Sequence, residues 1–128
     1  MKEDILKILV VDDEEDIQLL FRKKFKKDIQ EGKFLFRFAT SANAAIEYLN
    51  TLNEFDMVLV LSDIKMPGMN GIDLLKIVKS QYPHLKVMMI TAYDDLKNRE
   101  DATRLGALDF IAKPVNFEAL RSRILQLF

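Results

Sequence analysis

No cysteine occurs among the 128 residues. Disulfides, zinc–thiolate sites and thiol nucleophiles are therefore excluded. Histidine is nearly absent too. The single His84 follows Pro83 and reads as an exposed loop residue rather than a catalytic or metal-ligating group. The chain has 4 glycines and 3 prolines, and it shows no low-complexity tract, internal repeat or interdomain linker. Neither charge sign dominates: 19 basic and 20 acidic side chains leave a net charge of -1. That balance gives no global attraction to nucleic acid or to a membrane surface. No apolar run approaches the length of a membrane span. Lys2, Glu3, Asp4 and Lys7 break any signal-peptide pattern. The expectation is a cytoplasmic protein with no direct nucleic-acid or membrane contact. The length suits one domain over residues 1–128, able to bury one sizeable core.

What is present is alternation. Ile5 to Val11 is a β-rich run that stops abruptly at Asp12, Asp13, Glu14, Glu15 and Asp16. Ile17, Leu20, Phe21, Phe25 and Ile29 then recur at helical spacing until Gly32. From Lys33 the period switches to two, with Phe34, Phe36 and Phe38 on one side. That pattern suits a half-covered strand at a sheet edge. A second helix runs from Ser41, its cap, to Asn50. Met57 to Leu61 and Leu85 to Ile90 are nearly continuous apolar runs, as in parallel strands buried on both faces. Between them Met66 to Gly71 is a turn by composition, and Asn70 can cap the helix that follows, with Asp73 in its first turn. Asp94 or Asp95 can begin a fourth helix that Gly106 ends. Leu108 to Ala112 is a short fifth strand, and Asn116 to Leu127 a fifth helix. Five strands alternating with five helices predict a doubly wound α/β parallel sheet with helices on both faces.

In such a sheet the ligand site lies beyond the carboxyl ends of the strands, where strand order reverses. Those ends carry Asp12 and Asp13 (strand one), Asp63 (strand three), Thr91 (strand four) and Lys113 (strand five). Clustered carboxylates call for a cation, and oxygen-only ligands favour a hard ion such as Mg²⁺. A carboxylate is also a competent nucleophile toward phosphorus. Phosphoryl transfer requires the charge on the equatorial oxygens to be neutralised, and Mg²⁺, the Lys113 ammonium and the Thr91 hydroxyl can each take one oxygen.

The runs Val10-Val11-Asp12-Asp13 and Asp63-Ile64-Lys65-Met66-Pro67-Gly68-Met69-Asn70-Gly71, with Thr91-Ala92 and Lys113-Pro114, resemble the four signatures of response-regulator receiver domains. The resemblance spans the chain in order. It implies a flavodoxin-like fold with strand order 2-1-3-4-5. It further implies that Asp63 accepts a phosphoryl group from a phosphohistidine on a sensor histidine kinase or phosphotransfer protein. Asp13, Asp63 and the backbone carbonyl of Lys65 would ligate Mg²⁺, with Asp12 helping through water. Thr91 and Phe110 would form the switch pair, and the Lys113-Pro114 bond would be cis. Lys65 and Tyr93 flank the site at positions that tune phosphate lifetime in the family. Phe110 stands where a tyrosine is common. The first helix with its loop, and the stretch from Asp56 to Asp63, look slightly longer than usual for the family. The expected readout surface is the fourth helix, from Leu96 to Leu105, with the fifth strand and fifth helix. An output domain or partner protein would read it, and two copies could pair through it. No output domain is expected within these residues.

Each assignment has a plainer competitor. Asp12 to Asp16 could simply favour a helix N-terminus, which remains the reading for Glu14, Glu15 and Asp16. Lys113-Pro114 alone could be a surface turn. Arg22, Lys23, Lys24, Lys26 and Lys27 form a basic patch that reads as a solvated helix face. Met66, Met69, Met88 and Met89 read as loop and core packing. Gly68 and Gly71 do not form a phosphate-binding loop, since no Gly-Lys-Ser/Thr follows. Two other functions compete with a switch. An aspartyl-phosphate hydrolase usually has its nucleophile after strand one and a cap insertion, whereas here the matching Asp63 follows strand three and there is no cap insertion. A degenerate receiver would lack part of the acidic trio, Thr91 or Lys113. The sequence therefore predicts a phosphoacceptor switch that catalyses only its own phosphorylation and dephosphorylation.

Overall fold

Residues 5–52, 59–92 and 95–128 are described by the computed structural model. The elements follow the order β1 (Leu6–Val11), α1 (Asp16–Lys24), α2 (Lys26–Gln30), β2 (Phe34–Ala39), α3 (Ala42–Asn50), β3 (Leu59–Asp63), α4 (Gly71–Gln81), β4 (Lys86–Ala92), α5 (Leu96–Arg104), β5 (Asp109–Lys113) and α6 (Phe117–Leu127). The strands form one sheet in the order β2-β1-β3-β4-β5, every neighbouring pair parallel. The flavodoxin-like topology expected from the sequence is the topology found. Met57 lies outside the described residues, as do Tyr93 and Asp94; the cap of α5 is Asp95.

Alternation along the strands divides the core into two layers. Leu9, Val11, Val60, Val87 and Met89 face α3, α4 and Ala102 of α5. Ile8, Val10, Leu59, Leu61, Met88 and Ile90 face Phe21, Phe25, Leu120 and Ile124 of α1, its end and α6. Both faces of β3 are buried along its whole length, which is why Leu59 to Leu61 read as an unbroken apolar run before Ser62 and Asp63. At the edge, β2 buries Phe34 and Phe36 but exposes Arg37.

The five helical crossings expected from the sequence are present, but the first is bent into two segments. The break falls at Phe25 (φ -106°, ψ 18°). Backbone bonds still run from Phe25 N to Phe21 O and from Ile29 N to Phe25 O, so the chain bends without losing its ladder. The bend seats Phe25, only 1% exposed, among Phe21, Phe34, Phe36 and Phe117, with ring centroids 5.1–6.0 Å away. Burying such a ring contributes about 1.5–3 kcal/mol, which outweighs a few degrees of helix distortion. On α2, the buried Asp28 receives three hydrogen bonds from Nε and Nη2 of Arg121 of α6 at 2.9–3.1 Å.

Caps and turns are as the sequence suggests. Ser41 Oγ accepts from Ala44 N, and Asn116 Oδ1 from Ala119 N. Asn70 and Asp73 form a reciprocal capping box at α4. The Lys113-Pro114 bond is cis.

Candidate functional site

Strand termination places Asp12, Asp63, Thr91 and Lys113. β1 and β3 are neighbours whose chains leave in opposite directions along the sheet, β2 lying beyond β1 and β4 beyond β3. This is the reversal point where α/β sheets open a crevice. Asp63 is the last residue of β3 and Asp12 the first after β1. Asp12 N donates to Ala39 O of β2, which prolongs the sheet by one bond.

Ligand oxygens of Asp12, Asp13 and Asp63 lie within 4.8 Å of one another. Asp12 and Asp63 are buried, Asp13 exposed. Lys113 Nζ donates to Asp63 Oδ2 at 2.8 Å and stands 4.0 Å from Asp12 Oδ2. Asp12 Oδ1 accepts from Glu14 N at 2.8 Å, but its Oδ2 is buried without a hydrogen-bond partner. An orphaned buried carboxylate oxygen is costly unless something binds it. Burial pushes the Asp12 pKa up, and the neighbouring Asp63 adds to this against the opposing pull of Glu14 N–H and Lys113. Burial alone would lower the Lys113 pKa. The hydrogen bond and attraction to Asp63, helped by Asp12 and Glu14, overcome it and leave the ammonium more firmly protonated than usual.

The acidic trio thus fits a hard divalent cation on two counts: an all-oxygen donor set, and one buried donor oxygen without a hydrogen bond. Lys65, also expected to contribute through its carbonyl, sits exposed in the loop directly after Asp63. That loop is closed by Ile64 N bonding Ile90 O and by Gly71 N bonding Ile64 O at 2.8 Å. Gly71 is required by close approach. A Cβ there would lie 2.2 Å from Asp63 O and 2.8 Å from Ile64 Cα. Composition marked Gly71 as a turn residue; its real constraint, the contact of the α4 N-terminus with the Asp63 backbone, is invisible without the fold.

Thr91 is buried at the end of β4, two positions after Met89, which pairs with Phe110 in β5. Side chains two apart share a sheet face. Thr91 and Phe110 therefore lie on the face covered by α3, α4 and α5, where the half-buried Phe110 packs against the core. Sequence reasoning did not find Arg99, whose guanidinium carbon lies 5.1 Å from the Phe110 ring centroid. Among the other residues singled out, His84 is exposed and Met88 and Met89 are core. The basic residues of α1 and α2 are all exposed, and Arg22 among them stands over the Phe38 ring, 5.0 Å from its centroid.

Residues 8–125 match the family described as the response regulator receiver domain. The chain belongs to the response regulator receiver family. It is 36% identical over 118 residues to sporulation initiation phosphotransferase F of Bacillus subtilis, covering 92% of this chain and 90% of that one. It is 38% identical over 111 residues to the DNA-binding transcriptional regulator NtrC of Proteus hauseri, covering 87% of this chain but 22% of that protein. The receiver domain of NtrX from Brucella abortus superposes with a TM-score of 0.79 at 33% identity, over 93% of this chain and 95% of that one. The chain spans under a third of the length of several of the curated relatives it matches. Receivers of this family are phosphorylated switch modules of two-component signalling rather than ordinary enzymes. They bind Mg²⁺ at their acidic pocket and take their signal from histidine kinases or phosphotransfer proteins. No helix among the described residues is long and apolar enough to cross a membrane.

Proposed function

We propose that Asp63 is the phosphoacceptor of a receiver domain that occupies residues 1–128, and that its phosphorylation moves the surface formed by α5, β5 and α6. The observation that carries the reading is the 2.8 Å bond from Lys113 Nζ to Asp63 Oδ2, at the centre of a carboxylate trio with an orphaned oxygen.

A carboxylate oxygen of Asp63 attacks the phosphorus of a phosphohistidine. The new O–P bond forms as the P–N bond breaks, and the electron pair leaves with the imidazole of the kinase or phosphotransfer protein. Asp12, Asp13 and Asp63, with the Lys65 carbonyl, are the groups suited to hold Mg²⁺. When bound, that ion offsets the charge of the carboxylates and the incoming phosphoryl oxygens. Lys113 exchanges its carboxylate partner for a phosphoryl oxygen, so its charge stays paired throughout. The Thr91 hydroxyl turns toward another phosphoryl oxygen. Its inward movement frees space beside β4, and the Phe110 ring fills it. Because that ring is already half-buried, completing its burial gains about 1 kcal/mol. That is about a fivefold bias on α5, and no hydroxyl on Phe110 is needed for it.

α5 suits a moving part. Its one fully buried side chain is Ala102, and an element with little apolar burial opens at low cost. Dephosphorylation restores the carboxylate by water attack on phosphorus, which breaks the O–P bond and releases inorganic phosphate, with the exposed Lys65 in the loop after Asp63 tuning its rate. We place the protein in the cytoplasm. An output domain or partner protein reads the α5–β5–α6 surface, through which two copies can also pair.

Incubation with Mg²⁺ and acetyl phosphate, followed by mass spectrometry of the intact chain, tests the reading. One added phosphoryl group on the wild type and none on Asp63→Asn is expected. Undiminished labelling of Asp63→Asn would assign the phosphate elsewhere.

A further inference from the structure

α5 docks on the sheet with unusually little. Leu96 is 67% exposed and Ala102 is the only residue of the helix that is fully buried. Several other side chains are engaged along the helix itself: Asn98 with Asp95, and Lys97 and Arg104 with Asp101. Arg99 differs. It lies three residues before Ala102, hence on the same helix face, and it is half-buried. Its guanidinium stands over the Phe110 ring at 5.1 Å, inside the range of a cation–π contact. The acid one turn before it, Asp95, already accepts a hydrogen bond from Asn98. Arg99 is thus the one cationic side chain of α5 directed at β5 rather than along the helix.

We propose that Arg99 is a positioning residue: by holding the outer face of the Phe110 ring it keeps both the ring and α5 in the arrangement seen here, opposing the phosphorylated form. The proposal rests on the reading of Thr91 and Phe110 as the switch pair. A ring that must turn inward has to leave the guanidinium. The contact then exists in one state only, and a group that binds one state shifts the equilibrium by its differential affinity. For a cation over a partly exposed phenyl face that is about two- to fivefold.

The test pairs two variants and two measurements on the full chain. Arg99→Met keeps the long stem and loses the charge; Arg99→Lys restores a cation. In Mg²⁺ with beryllofluoride, a phosphoryl mimic, Arg99→Met should bind the mimic about threefold tighter than wild type. Arg99→Lys should fall between the two. On a Phe110→Leu background, with no aromatic face left, Arg99→Met should have no effect. Without the mimic, amide exchange over Leu96 to Arg104 should be faster in Arg99→Met than in wild type. Equal beryllofluoride affinity and equal exchange in wild type and Arg99→Met overturn the proposal, as does an Arg99→Met effect that persists in Phe110→Leu. Should wild type itself fail to bind the mimic, the phosphoacceptor reading falls, and the exchange comparison alone still decides whether Arg99 holds α5.

Discussion

Asp12→Asn should stabilise the metal-free protein. The wild-type carboxylate is 4% exposed. Its attraction to Lys113 at 4.0 Å is about 4 kcal/mol at an effective dielectric of about 20. Repulsion from Asp63, with oxygens inside 4.8 Å, is at least about 3.5 kcal/mol on the same footing and offsets most or all of it. Asp13 adds a weaker, solvent-screened repulsion. What is left uncompensated is the buried, unpartnered Oδ2, a penalty of about 1–3 kcal/mol. Asparagine keeps the oxygen that accepts from Glu14 N and places a donor amide among the remaining carboxylates. The expected gain is about 1–2 kcal/mol, or about 4–8 °C in Tm for a chain of this size. Thermal and urea unfolding followed by circular dichroism in EDTA at pH 7 measures it. The pH dependence supplies an internal control. A carboxylate with a raised folded-state pKa binds its proton more tightly when folded, so its penalty is fully present above that value. The penalty is lifted as pH falls through it toward the ordinary 3.8. Relative to Asp12→Asn, wild type should therefore recover stability on mild acidification. Millimolar Mg²⁺ should narrow or invert the gap, since a ligand that binds the folded state stabilises it by mass action. An Asp12→Asn protein less stable than wild type in EDTA at pH 7 refutes this account of the acidic pocket.

Asp13→Ala should abolish Mg²⁺-dependent labelling by acetyl phosphate while the exposed position leaves unfolding nearly unchanged; a Mg²⁺ titration giving wild-type affinity would remove Asp13 from the site. Lys113→Met, which keeps the stem, should stay folded and lose most of its labelling rate, and normal uptake and switching in that variant would contradict the role given to the ammonium. Gly71→Ala forces a Cβ to 2.2 Å from the Asp63 carbonyl oxygen, so a loss of about 1–3 kcal/mol is expected in urea unfolding, together with slower labelling. A variant as stable as wild type would show that the α4 N-terminus moves away freely. Beryllofluoride should alter amide exchange from Leu96 to Ala112, and changes confined to the loop after Asp63 would rule out the coupling to α5.

Much of this was legible in the sequence because the informative residues obey short-range rules. Period two over Phe34 to Phe38 identifies an edge strand without knowledge of its neighbour. The capping box of Asn70 and Asp73 announces α4 from four residues. Asp12, Asp13, Asp63, Thr91 and Lys113 were legible for a related reason. Each interrupts or ends an apolar run, and in a parallel sheet the ends of such runs converge. The bend at Phe25 was not legible. Helical spacing continues through it, and only the meeting of five rings from α1, β2 and α6 makes the bend favourable.

The same distinction separates the phosphoacceptor site from the contacts that set its response. Carboxylates at strand ends are incompatible with a core, so their presence alone demands an explanation, and chemistry supplies it. Arg99 and Arg121 raise no such demand. An arginine on a helix is ordinary at any exposed position, and a solvated face explains it equally well until the partner across the fold is known. Arg121 reaches Asp28 over a separation of 93 residues, and Arg99 reaches Phe110 on a different element. Contacts of this kind leave no periodic trace. Receivers share an acidic pocket because phosphoryl chemistry restricts what can stand there. The groups that hold α5 need only be weak and reversible, and many side chains satisfy that requirement. Chain-specific tuning of a common switch should therefore be sought in contacts such as Arg99 on Phe110, where a change of a few fold in the resting equilibrium leaves the phosphoacceptor chemistry intact.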